Sequence, residues 1–198
     1  VDEQLPPAID DNIVIFTDMR RSRQCSACPN DPWLERDAVQ QRMLALYGPE
    51  STAQVRPQQF KSFTYSELKQ ALVAGPAALP APGSSPTATV PADGSSPPDA
   101  GAALTPTPAP TAAELVNAAL AEAEWVIFAQ LAPEEDVEAS DAARLFLAQR
   151  ADVVRNAKII VLAHNAPYYL DTTEISKLTA YFGVYSKLDA FVDAAVRA

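Results

Sequence analysis

Along most of the chain, short continuous apolar runs alternate with segments of helical period. Residues 12–18 (NIVIFTD), 124–131 (EWVIFAQL) and 157–163 (AKIIVLA) each hold an uninterrupted apolar stretch bounded by polar or small residues, the pattern of a strand buried on both faces of a parallel sheet. Over residues 37–47, Val39, Met43, Leu46 and Tyr47 fall on one helical face, and Gly48 and Pro49 supply a stop. Thr64 with Glu67, and again Thr111 with Glu114, have the spacing of a capping box, in which hydroxyl and carboxylate satisfy each other's orphan backbone N–H groups. A helical period follows each box, through Leu68, Ala71 and Leu72 in the first case and through an alanine-rich stretch from Leu115 to Ala123 in the second. Residues 140–154 read as one helix carrying Ala143, Leu145, Phe146, Ala148 and Val153. Short extended pieces at 54–57 and 60–63, a turn leading into Ile175 and Leu178, a short strand or turn at 181–185 and an amphipathic helix over 186–198 complete the pattern.

Strands alternating with helices predict an α/β fold: a three-layer sandwich with a mostly parallel sheet, right-handed connections and the flavodoxin-like arrangement. A single domain spans 1–198, interrupted by an insertion at 75–110. Ten of the chain's 18 prolines lie in that insertion, its only charges are Asp93 and Asp99, and it holds no aromatic residue. Such a segment buries too little surface to offset the entropy of ordering, so it is expected to be disordered or extended. The part before it has too few strands to fold alone. Closure entropy grows only with the logarithm of loop length, so a single fold tolerates the interruption. The Ser, Thr and Pro content also resembles that of glycosylated extracellular spacers, so an extracellular or cell-surface location is expected.

Composition narrows the partners. At 198 residues, 48% hydrophobic and 20% charged, the chain can bury one sizeable core. Its formal charge of -10 excludes nucleic acid and anionic lipid, both of which need a basic footprint. No stretch approaches the roughly 18 consecutive apolar residues of a membrane span, so no membrane insertion is expected. The chain opens at Val1 on a polar, proline-bearing segment and stops at Ala198 inside a helical pattern, which is expected of a processed product or a piece of a longer protein.

Little in the sequence points to chemistry of its own. Cys25 and Cys28 form the only cysteine pair; their spacing serves a redox dithiol, half a zinc site or a local disulfide. The sole histidine cannot complete a four-ligand zinc site, so no metal is expected, and in an oxidising compartment the disulfide is favoured, shaping a loop. His164 and Asn165 follow one strand run, and Asp18, Arg20 and Arg21 follow another, which places these five residues at the strand ends where open α/β sheets collect ligands. No G-x-S-x-G elbow, Walker A or G-x-G-x-x-G sequence occurs, so neither serine catalysis nor a nucleotide cofactor is expected. The acidic stretch 133–138 lacks the alternating ligands of a calcium loop and reads as a solvated turn. Glycoside hydrolysis needs two carboxylates at a set separation, and no spacing here selects such a pair.

The stretch KIIVLAHNAPYYLD at 158–171, followed by TEISKLTAYF at 173–182 and SKLDAFVDAA at 186–195, resembles the closing part of bacterial family 3 glycoside hydrolases of the β-N-acetylhexosaminidase type. The run NIVIFTD, the cysteine pair and LALYGP at 44–49 are similar to the start of the same C-terminal α/β domain. The resemblance implies a non-catalytic accessory domain of a secreted glycosidase-like protein, because that family's nucleophile sits on an upstream (β/α)8 barrel. It also implies a barrel or other protein partner, an apolar docking face and carbohydrate contact. Two other readings stay open: a cell-surface or envelope interaction module that kept the fold without the enzyme, and a thiol-redox protein using Cys25 and Cys28.

Overall fold

A computed structural model describes residues 6–22, 26–27, 29–76, 109–165 and 169–198. Each long apolar run of the sequence is a strand, because β-branched and aromatic side chains pack well on a pleated surface covered from both sides. The strands, in chain order, are β1 (Ile13–Thr17), β2 (Arg21–Ser22), β3 (Asp31–Pro32), β4 (Phe60–Thr64), β5 (Trp125–Gln130), β6 (Lys158–Ala163) and β7 (Ala180–Gly183). Five of them form one sheet in the order β4-β1-β5-β6-β7, every neighbouring pair parallel. Numbered within that sheet alone, the order is 2-1-3-4-5, the doubly wound flavodoxin-like arrangement. β2 and β3 pair antiparallel as a small ribbon beyond the end of β1.

The helices are α1 (Ala38–Tyr47), α2 (Tyr65–Ala74), α3 (Ala112–Ala121), α4 (Ala142–Gln149), α5 (Ala151–Asn156), α6 (Thr172–Ile175) and α7 (Asp189–Arg197). Alternation along the strands sends Val14, Phe16, Val126, Phe128, Ile159 and Val161 to one face, where they pack with side chains of α2, α3, α4 and α5. Ile13, Ile15, Trp125, Ile127 and Leu162 point to the other face and meet α1 and α7. The chain leaves β1 toward one sheet edge through α1 and leaves β5 toward the opposite edge through α4 and α5. Reversing the direction of travel while keeping right-handed crossovers requires the helices to change faces, and they do. At the centre of the first face Phe16, Phe128 and Phe146 have ring centroids 5.2 to 6.5 Å apart.

Both capping boxes form: Thr64 Oγ1 accepts from Glu67 N while Glu67 Oε2 accepts from Thr64 N, and Thr111 and Glu114 repeat the pattern. Four local expectations are corrected. The helix foreseen over 140–154 is two, α4 and α5, because Arg150 leaves helical geometry at φ -107°, ψ 53°. Its guanidinium is buried and satisfied by the Asn117 amide oxygen at 3.0 Å and the Asp152 carboxylate; a buried cation must be paired, and the break delivers it to its partners. Residues 54–57 form no strand but lead into a single 3-10 turn, Pro57–Gln59. Leu44, not Leu46, joins Val39, Met43 and Tyr47 in the core, and the last helix starts only at Asp189. Residues 77–108, nearly all of the foreseen insertion, lie outside the described residues, as do Cys25 and Cys28. The helices on either side of that segment, α2 and α3, pack against each other, and Gly75 O accepts from Asn117 Nδ2 at 3.1 Å. No helix among the described residues is long and apolar enough to cross a membrane.

Candidate functional site

The two central strands β1 and β5 send their connections to opposite sheet edges, so beyond their C-terminal ends the chain parts and leaves a crevice. A cleft of about 590 Å3 lies there. Residues 18–21 after β1 line it, together with Thr64, Tyr65 and Ser66 at the start of α2, the loop after β5 through Glu134, Asp136 and Glu138, Asn165 after β6, and Trp33. Four of the five ligand-edge residues named from the sequence, Asp18, Arg20, Arg21 and Asn165, are thus brought to one cavity by strands that are far apart in the chain.

The floor is a clamp. Arg20 Nε approaches both carboxylate oxygens of Asp18 at 3.1 Å, and its Nη2 reaches Oδ2 at 2.6 Å. The same guanidinium donates to Ala132 O at 2.6 Å and to Glu134 Oε1 at 2.8 Å, tying the ends of β1 and β5 together. Side-chain exposure is 4% for Asp18 and 13% for Arg20, so both charges are taken from water and must satisfy each other. Burial raises the Asp18 carboxyl above its ordinary range, against the lowering pull of Arg20 and the Leu131 backbone N–H. Asn165 Oδ1 accepts the Ala132 N–H at 2.6 Å and anchors the β5 loop to the end of β6. Arg21 Nη1 donates to Asn30 O at 3.1 Å across the β2–β3 ribbon, and just past β3 the Trp33 N–H donates to Arg20 O at 2.7 Å.

His164 reaches the same sheet edge but does not line the cleft. Side chains alternate along β6, and His164 falls on the face of α1 and α7, fully buried. Its ring stands edge-on to Trp33 at 5.8 Å, and its Nδ1 lies 3.1 Å from Ser186 O. A backbone carbonyl only accepts, so Nδ1 carries the proton in this contact. Burial holds its pKa below the ordinary value, with the Ser186 carbonyl acting the other way. Its Nε2 has no partner.

Sequence reasoning passed over Tyr65, Trp33 and Gln130. Tyr65 follows the capping residue Thr64 and reads only as a helix start. In the fold its ring packs edge-on against Phe128 at 6.3 Å, its hydroxyl is buried without a partner, and it lines the cleft. Burial pushes its phenol far above the ordinary range, with the nearby Asp18 charge adding to the effect. Gln130, the last residue of β5, is fully buried with both amide atoms unpartnered. An aromatic residue that opens a helix just after a parallel strand was the one available signal.

A second cavity, about 550 Å3, lies on the other side of the sheet between α1 and α7, with Met43, Trp125, Phe182 and Val196 in its apolar walls. Among the described residues no group of three or more His, Cys, Asp or Glu side chains is placed to hold a metal ion. The chain matches no family model, and neither the curated proteins nor the solved structures contain a match to it.

Proposed function

We propose that this chain is a non-catalytic accessory domain of a secreted protein resembling family 3 glycoside hydrolases, docked through the C-terminal edge of its sheet onto a barrel partner. The observation that carries the reading is an apolar patch beside the cleft. Tyr185, Leu188 and Phe191 are 60%, 63% and 49% exposed within seven residues. The patch adjoins the cleft: Lys187 Nζ lies 5.7 Å from the Trp33 ring centroid, and Ser186 O meets His164. Large apolar side chains gathered at one surface mark a protein contact rather than solvent. The cleft's best-placed carboxylate, Asp18, is committed on both oxygens to Arg20. A group so engaged positions loops and is not free to act as nucleophile or proton donor.

The test is the intact mass of the source polypeptide, with hydrolysis of a chromogenic N-acetylglucosaminide assayed on the same preparation. A much larger, active species whose activity or assembly is lost when Leu188→Asp and Phe191→Asp are combined supports the accessory role. A species near 21.2 kDa without activity overturns it, and leaves a stand-alone interaction module whose partner is then sought by co-purification.

A further inference from the structure

We propose that the apolar cavity between α1 and α7 is a binding site for a single-chain fatty acid, with its hydrocarbon tail against the sheet and its carboxylate on Arg197. The cavity lies toward the N-terminal ends of β5 and β7, with Trp125, Ile160, Ala180 and Phe182 among its walls. It is away from the switch-point cleft and the docking patch, so the inference stands apart from the reading above. β6 has a strand on either side, and a parallel sheet is ordinarily covered on both faces. Yet Ile160 of β6 and Phe182 of β7 are only half-buried. α7 packs on α1 and is tied to it by Arg42 on Asp189 and Asp193, and the sheet beside the pair is left open. At about 550 Å3 the space falls in the range of small-molecule pockets, roughly 300–1,000 Å3. Apolar surface left to water there costs free energy, which an apolar occupant relieves.

Charge complementarity selects the occupant. Arg197 ends α7, is exposed, and carries the one charged side chain among the described residues of the cavity wall. Its ordinary partner on the helix is the acid four residues before it. That acid, Asp193, gives both of its oxygens to Arg42 at 2.6 Å and keeps only a longer-range attraction to Arg197. A guanidinium at the mouth of an apolar cavity suits a molecule with one anionic end and an apolar body, since the carboxylate pairs with it through charge-assisted hydrogen bonds. A cationic amphiphile would set like charges together, and a wholly neutral one would gain nothing from the guanidinium. One carboxylate needs one guanidinium, not the basic footprint that an anionic lipid surface demands and this chain lacks.

The full chain, labelled with 15N, is titrated below the micellar range with decanoate, with decanol and decyltrimethylammonium as comparators of equal tail length, reading the two tryptophan indole signals. Trp125 lines this cavity and Trp33 the cleft. The expected result is a saturable shift of the Trp125 indole with decanoate while the Trp33 indole stays in place, and weaker binding of both comparators. Arg197→Gln, at an exposed position, should weaken decanoate about tenfold, the loss of one charge-assisted contact, and leave decanol unchanged. Ala195→Phe places a ring in the open apolar space, so it should abolish decanoate binding with a urea midpoint at or above that of the parent. No saturable shift at Trp125, equal movement of both indoles, binding of either comparator as tight as that of decanoate, or unchanged decanoate binding by Arg197→Gln would each overturn the proposal.

Discussion

The residue with most to lose is Arg20. It holds one buried carboxylate, one exposed carboxylate and one carbonyl from two different loops. Arg20→Met keeps the stem's packing but strands Asp18 as a buried charge, which costs about 3–5 kcal/mol; urea unfolding at neutral pH measures it. Adding Asp18→Asn should return much of that loss, since removing both charges is cheaper than removing one. His164 gives a pH signature. Its folded pKa is depressed, so as pH falls through about 6.5 the unfolded chain takes up a proton that the folded chain refuses. Stability is therefore full above that value and declines on acidification, by at most about 1.4 kcal/mol per pH unit. The raised Asp18 carboxyl acts with the opposite sign, the folded state gaining its proton before the unfolded chain does as pH falls toward 3.8. Urea midpoints measured at pH 7.5 and 5.5 should differ in the parent and converge in His164→Gln.

At the scale of elements, the capping boxes are where local sequence and tertiary position agree. The Thr64 box ends β4, starts α2 and holds Tyr65 against Phe128 beside the cleft. Thr64→Ala should cost about 1 kcal/mol and disturb the Ser66 amide resonance before any distant one. Both boxes, the three long strands and α1 were legible because their signals are local: hydrogen-bonding partners three residues apart, or a run of apolar side chains. The break between α4 and α5 was not, because Arg150 leaves the helix to meet Asn117, 33 residues earlier in the chain. α7 is held in the same non-local way, by Arg42 of α1 on Asp189 and Asp193, a contact that no periodicity displays.

At the scale of the whole molecule, the order 2-1-3-4-5 creates the crevice, since only there do neighbouring strands send their connections apart. The parallel sheet and its alternation with helices followed from binary pattern, while the choice of neighbours among five similar strands did not. Pairing is made by backbone hydrogen bonds, which are the same for every residue, and it is selected by how all the faces pack at once. Four ligand-edge residues converge on the cleft because each follows the C-terminal end of a parallel strand, a relation the sequence carries through its apolar runs.

By itself, then, the sequence determined the α/β class, the strands and capped helices, and the edge where Asp18, Arg20, Arg21 and Asn165 gather. Each of these depends on hydrophobic period or on contacts within a few residues. Only the tertiary structure decided that Asp18 is locked to Arg20, that His164 is turned to the opposite face beneath Trp33, and that Tyr65, a residue of the cleft wall, keeps its hydroxyl buried and unpartnered. Those outcomes rest on which face a side chain takes and on burial, which sets the cost of leaving a polar group unpaired, and burial is a property of the assembled layers.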